Sequence, residues 1–210
     1  MNGQYIVIEG QDSTGKTTQV DLLAKYFRKQ GREVAIIYET IHPFDGNLPS
    51  ANALCRILGS KSYRLQPKTN VLLFTAARLE LWKKLAEPCI KRGGIVISAR
   101  NWYSSIAYQG YGQKLSLKLI KFTTERYLPK RYIRPDHAVI LTLSSDTRKS
   151  RQSVRDLETA TDPFESKPTD FQERVTRSYL RIAKDLQIPT LDASPRPSEI
   201  HQQILKLFKL

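Results

Sequence analysis

Near the start of the chain, Gly10-Gln11-Asp12-Ser13-Thr14-Gly15-Lys16-Thr17 spaces a glycine, four residues, a glycine, a lysine and a threonine. Those residue types at that spacing suit a polyphosphate. The glycines let backbone come close to the phosphates, Lys16 reaches the β- and γ-oxygens, and the hydroxyl of Thr17 is a hard ligand for Mg²⁺. Gly10 to Thr18 is therefore the candidate cradle for a nucleoside triphosphate. The pattern has this meaning only between a strand and a helix, because the unpaired N–H groups and partial positive charge of a helix's first turn hold the anion. Both elements are expected here. Tyr5, Ile6, Val7 and Ile8 form a short apolar run with β-branched members, and Val20, Leu23, Ala24 and Phe27 recur at helical spacing until Gly31.

Further strands are expected at Glu33 to Tyr38, Ile95 to Ser98, His137 to Leu143 and Ile188 to Leu191. Between them lie helical patterns: Ala53 to Leu58, a helix opened by Pro67 and kinked or ended by Pro88, Leu115 to Leu128, a helix from Thr169, and a last one through Ile200, Ile204 and Phe208. Thr169 and Gln172 have capping-box spacing. The stretch from Ser104 to Gly112 is small, aromatic and punctuated by glycine. Strands alternating with helices imply an α/β fold, a parallel sheet of five strands covered on both faces. Ligands of such sheets bind beyond the carboxyl ends of the strands, where Glu9, Glu39, Arg100, Ser144 and Asp192 fall.

Bulk properties narrow the function. With 210 residues, 40% hydrophobic and 26% charged, the chain suits one domain, residues 1–210, with no linker and no internal repeat. No apolar signal segment opens it and no run approaches the ~20 residues of a membrane span, so a cytoplasmic location and no membrane partner are expected. Cys55 and Cys89 lack disulfide or zinc spacing. His42, His137 and His201 fit no triad or metal cluster. The net charge of +14 is spread along the chain with no basic tail, so nucleic acid is not the expected partner. A GTPase would carry an Asn-Lys-x-Asp segment, which is absent.

The sequence resembles the thymidylate (dTMP) kinases of the P-loop nucleoside monophosphate kinases over almost its whole length. The resemblance rests on Ile8-Glu9-Gly10, Leu72-Leu73-Phe74-Thr75-Ala76-Ala77-Arg78, Ser104-Ser105-Ile106-Ala107-Tyr108-Gln109-Gly110, Phe171-Gln172-Glu173-Arg174-Val175 and Leu191-Asp192-Ala193, in that order. It implies a three-layer P-loop kinase fold with a small lid at about 145–168. It also implies a homodimer that uses ATP and Mg²⁺ to phosphorylate dTMP to dTDP for dTTP synthesis. Phe74 and Arg78, four residues apart on one helix face, would stack on the pyrimidine and donate to its 4-carbonyl. Tyr108 would lie against the sugar and exclude a 2′-hydroxyl, while Ser104, Ser105 and Gln109 line the base pocket. Asp12 would bind the 3′-hydroxyl and lie near the metal held by Thr17. Arg100 would grip the monophosphate and the transferring group. Arg148, Arg151 and Arg155 share a helix face in the lid, an arrangement of like charges that makes sense facing polyphosphate. Of these, Arg151 and Arg155 align with the family's lid arginines and join Lys16 and Arg100 as the catalytic set.

Two positions depart from the family pattern. Ala99 stands where the family has an aspartate before the motif arginine, and no arginine lies between Tyr38 and Pro49. Arg56 is a candidate substitute for the second, and Glu9 or Asp12 for the first. The acceptor phosphate is largely ionised at neutral pH, its second pKa being about 6, so it needs no general base. The alternatives left open are a kinase for another pyrimidine nucleotide or a nucleoside, in which Glu9 would serve as base, and a noncatalytic nucleotide-binding homologue.

Overall fold

In the computed structural model the described residues are 2–39, 48–60, 62–156, 164 and 168–210, with only the helical backbone described at 154–156. The apolar runs form five strands: β1 (Gln4–Gly10), β2 (Val34–Tyr38), β3 (Ile95–Ala99), β4 (His137–Thr142) and β5 (Thr190–Asp192). The helices are α1 (Lys16–Lys29), α2 (Pro49–Gly59), α3 (Pro67–Leu81), α4 (Glu87–Lys91), α5 (Trp102–Ser105), α6 (Leu117–Tyr127), α7 (Lys130–Ile133), α8 (Ser145–Asp156), α9 (Thr169–Asp185) and α10 (Pro197–Phe208). Residues 40–47, with His42 and most of the stretch that lacks an arginine, lie outside the described residues.

All strand pairs are parallel, in the order β2-β3-β1-β4-β5. β1 is central, which is why its run is apolar on both faces rather than alternating. Ile6 and Ile8 pack with α1 and α10 through Val20, Leu23, Ile200 and Ile204. Tyr5 and Val7 face the opposite layer, where α3 and α9 contribute Val71, Leu81, Val175 and Tyr179. Ile6 and Ile8 are completely buried, and each contributes about 1.5–3 kcal/mol by leaving water. The result is a helix–sheet–helix sandwich, the P-loop kinase architecture.

Local departures from expectation have local causes. The helix begun at Pro67 does not end at Pro88: it passes through a π-helical stretch, Trp82–Ala86, and continues as α4 to Lys91. The wider turn lies just ahead of Pro88, which occupies the opening positions of α4, where its missing N–H costs little. A second π-helical stretch, Ile106–Gly112, continues α5 where the glycine-punctuated composition suggests a connector. Strand β5 starts at Thr190 rather than Ile188, because Pro189 has no N–H for the ladder; its carbonyl still accepts from Ile140 N at 3.0 Å. The capping box at Thr169 does not form. Pro168 is the cap, Thr169 is already helical, and the Gln172 side chain reaches tertiary partners instead.

Candidate active site

β1 delivers the phosphate loop at the edge where its neighbours β3 and β4 also end. Gly10 sits at φ +140°, with the Leu141 carbonyl occupying the space a side chain would need. Gly15, at φ +83°, caps α1. Gln11 O accepts from both Thr14 Oγ1 and Lys16 Nζ at 2.8 Å, so the lysine arches over the loop, with Asp12 3.9 Å away. Ser13 holds a left-handed φ of +66°, and its buried hydroxyl meets no partner among the described residues. Above the loop is a cavity of about 280 Å³ bordered by Ser13, Thr14, Gly15, Thr18, Gln19 and Arg151, among others. That volume lies near the lower end of small-molecule sites, about 300 Å³.

Thr17 and Thr18 are exposed on the first turn of α1. Among the described residues no cluster of three His, Cys, Asp or Glu side chains could hold a metal alone. A hydroxyl with few protein carboxylates fits Mg²⁺, which keeps several waters and completes its shell with substrate phosphates.

Arg100 is the hub beside this loop. It leaves β3 at φ +75° and is tied on every side. One end of its guanidinium pairs with Asp12, and Nη1 donates to Gly10 O (3.2 Å), Ser104 Oγ (3.0 Å) and Tyr179 OH (3.2 Å). Its guanidinium carbon also lies 5.2 Å from the centre of the Tyr108 ring, and Tyr108 OH donates to Asp12 at 2.7 Å. Burial opposes the charge on Arg100, but Asp12 and its other neighbours hold its pKa well above the ordinary value. Burial likewise pushes Tyr108 and Tyr179 well above the usual phenol range, so both are neutral donors.

Glu9 anchors the hub from beneath. It is completely buried, and its carboxylate accepts from Asn101 N (2.8 Å), Ser104 N (3.1 Å), Gly10 N (3.1 Å), Ser104 Oγ (3.0 Å to both oxygens) and Tyr179 OH (3.0 Å). Every lone pair is used, which leaves Glu9 no capacity to take over an outer-shell metal contact.

The aromatic–arginine pair lies on α3. Phe74 is half-buried, with the Arg78 guanidinium 5.4 Å from its ring centre. Arg78 is buried and donates to Glu39 (2.7 Å), Ser105 Oγ (2.8 Å) and Asn101 O (2.9 Å), leaving two of its five N–H groups for other acceptors. Tyr132 donates to the other oxygen of Glu39 at 2.5 Å. Burial raises the pKa of Glu39, against the pull of Arg78. Ser104, Ser105, Tyr108 and Gln109 are all buried on α5 and the π-helical stretch after it.

The remaining candidates are placed unevenly. Arg151, half-buried, borders the loop cavity and donates to Ser194 O at 3.4 Å. Arg148 is buried and bonded to Gln152 at 3.1 Å. Arg155 is on α8, but its side chain lies outside the described residues, as do 157–163 and 165–167. Of the strand-end polar residues, Ser144 caps α8 through Thr147 N, and Asp192 closes a turn on Ser194; neither touches the hub. Arg56 is exposed on α2, while Cys55 and Leu58 face inward. Ala99 is enclosed in the apolar cluster beneath α1. Sequence reasoning missed Tyr179, Tyr132 and Asn101, and the positioning role of Glu39. A hydroxyl-bearing aromatic at the Val175-plus-four position of an apolar helix face was the one available signal for Tyr179.

The family model for thymidylate kinase matches residues 8–204. The chain belongs to the thymidylate kinase family. It is 31% identical over 208 residues to the thymidylate kinase of Kosmotoga olearia, covering 98% of this chain and 95% of that one. It is 34% identical over 212 residues to the probable thymidylate kinase of Thermococcus gammatolerans, covering 99% and 96%. The crystal structure of thymidylate kinase from Ehrlichia chaffeensis superposes with a TM-score of 0.75 at 26% identity, covering 99% of both chains. Membership of the thymidylate kinase family supports a nucleotide-binding P-loop kinase that transfers a phosphoryl group to a nucleoside monophosphate. No helix among the described residues is long and apolar enough to cross a membrane.

Proposed function

We propose that this thymidylate kinase family member transfers the γ-phosphoryl group of ATP to dTMP, giving dTDP and ADP. The observation that carries the reading is the saturated carboxylate of Glu9. A kinase acting on the hydroxyl of a nucleoside wants a base with a free lone pair, and Glu9 has none. An acceptor that already carries an anionic oxygen needs no such base. This favours a monophosphate over thymidine.

The chain's own residues then do electrostatic work. Lys16 exchanges the Gln11 carbonyl for phosphate oxygens, Arg151 reaches the same polyphosphate from α8, and Arg155 is read as its companion. Arg100, fixed between the loop and Tyr108, faces the acceptor phosphate and the group that moves. Phe74 stacks on the base and Arg78 offers its remaining N–H groups to the 4-carbonyl, with Ser104, Ser105 and Gln109 closing the pocket. Tyr108 and Asp12 meet the deoxyribose. Mg²⁺, held by Thr17 and approached by Asp12 through water, would neutralise charge on the phosphates.

We also read the chain as one domain whose residues 145–168 act as the lid, working in the cytoplasm as a homodimer. Two buried free thiols suit a reducing compartment. The exposed Leu72 and Phe122, on α3 and α6, which pack together, offer apolar surface to a second copy.

ATP consumption against dTMP, dUMP, UMP, dCMP and thymidine tests the proposal. The expected result is dTMP as preferred acceptor, no turnover of thymidine, and loss of activity in Lys16→Ala. Preference for thymidine, or ATP binding without turnover of any acceptor, would refute it.

A further inference from the structure

The side chain of Gln11 belongs to the phosphate loop yet is spent on α9. Its Nε2 donates to Gln172 Oε1 (3.0 Å) and Gln172 O (3.3 Å), and its Oε1 accepts from Thr176 Oγ1 (2.6 Å). Gln172 passes the pattern on: its Nε2 donates to the carbonyl of Phe164 at 2.8 Å. The buried ring of Phe164 lies 6.4 Å from Phe74 and 5.9 Å, edge to face, from Tyr108. Meanwhile the backbone carbonyl of Gln11 holds Lys16. A directional chain of hydrogen bonds thus runs from the loop that takes the donor phosphates to a ring touching both aromatics assigned to the acceptor. Each of the two amides uses its carbonyl on one side and its NH₂ on the other, which a carboxylate cannot do.

We propose that Gln172 is a positioning residue that couples the two substrate sites. Gln172 holds Phe164 against Phe74 and Tyr108 while Lys16 rests on the Gln11 carbonyl, and filling the phosphate loop draws Lys16 off that carbonyl, a change at the loop end of the relay. Occupancy of the donor site and the packing of the acceptor pocket are thereby coupled. This rests on the acceptor reading given above. A coupling of this kind is reciprocal: a bound acceptor tightens the donor by the same factor.

Calorimetric titration of the full chain with each monophosphate of the panel, with and without a nonhydrolysable ATP analogue, reads the coupling directly. The wild-type chain is expected to bind its acceptor about tenfold more tightly when the analogue is present, within the usual range of roughly 5- to 150-fold. Gln172→Glu keeps an acceptor for Gln11 but cannot donate to Phe164, and should reduce the factor to about twofold or less, as should Gln172→Leu. A purely structural role would lower the thermal midpoint of both variants and leave the factor unchanged. A wild-type factor near one, or a folded variant that retains the wild-type factor, overturns the relay. If coupling appears with another monophosphate but not with dTMP, the relay stands and the dTMP assignment fails. If dTMP keeps its full coupling in Gln172→Glu, the relay fails and the assignment stands. Binding of no monophosphate overturns both.

Discussion

Glu9→Gln separates a framing carboxylate from a chemical one. In the wild-type chain two backbone N–H groups, of Asn101 and Ser104, converge on Oε1, while Gly10 N–H and Tyr179 OH converge on Oε2. The least damaging amide orientation keeps its oxygen on the Asn101 side. Its NH₂ then faces the Gly10 N–H, a donor that cannot turn away, whereas Tyr179 OH can rotate to accept. One stranded buried donor costs about 1–3 kcal/mol, and the surviving bonds lose their charge assistance, for a total of about 2–4 kcal/mol. At about 2–4 °C per kcal/mol for a chain of this size, the thermal midpoint should fall by about 4–16 °C. Calorimetry and urea unfolding read the stability; kcat/KM for dTMP should fall as well, because Ser104 and Tyr179 also hold Arg100. A variant within about 0.5 kcal/mol of wild type that has nonetheless lost activity would refute the framing role and restore Glu9 as a base.

Other expectations are separately measurable. Arg78→Met strands Glu39, its partner in a pair whose side chains are each 4% exposed, and should destabilise by about 3–5 kcal/mol; a double-mutant cycle with Glu39→Gln should recover part of that loss. Burial lowers the pKa of His137, stacked on Phe208, and of His201. The unfolded chain therefore binds more protons as pH falls through about 6.5, and stability should be full above that value and decline below it. His201→Phe should flatten the dependence of thermal midpoint on pH between about 7.5 and 5. Ala99→Asp should lower the Mg²⁺ concentration giving half-maximal activity, while an uncompensated carboxylate in that apolar cluster costs about 3–5 kcal/mol in the nucleotide-free chain; an unchanged or raised Mg²⁺ midpoint would contradict this.

The parts of this protein legible in its sequence are those whose physics is local. β1 and the start of α1 are fixed by an apolar run and a glycine–lysine spacing, so the phosphate loop could be placed before any partner was known. Arg100 was legible because a strand must end somewhere and parallel sheets bind ligands there. Strand order was not, since any of several parallel arrangements would bury the same five runs. The π-helical turns were invisible because a shift from one hydrogen-bond spacing to the next leaves no residue signature. The residues that aim the site, Glu39, Tyr132, Tyr179 and Gln172, act on partners tens to more than a hundred positions away, and their types alone suit a surface or a cap as well. Gln172 shows the limit most clearly: its spacing from Thr169 matches a helix cap, but an amide can satisfy tertiary acceptors that outcompete a local one.

The most direct test is a crystal structure of the chain with dTMP and a nonhydrolysable ATP analogue bound together. The expected complex has the analogue's phosphates over Gly10 to Thr18 with Lys16 on them, the thymine against Phe74 and within hydrogen-bond reach of Arg78, and the dTMP phosphate within about 3.5 Å of Arg100. A dTMP phosphate turned away from Arg100, or a thymine seated anywhere but beside Phe74, would contradict it.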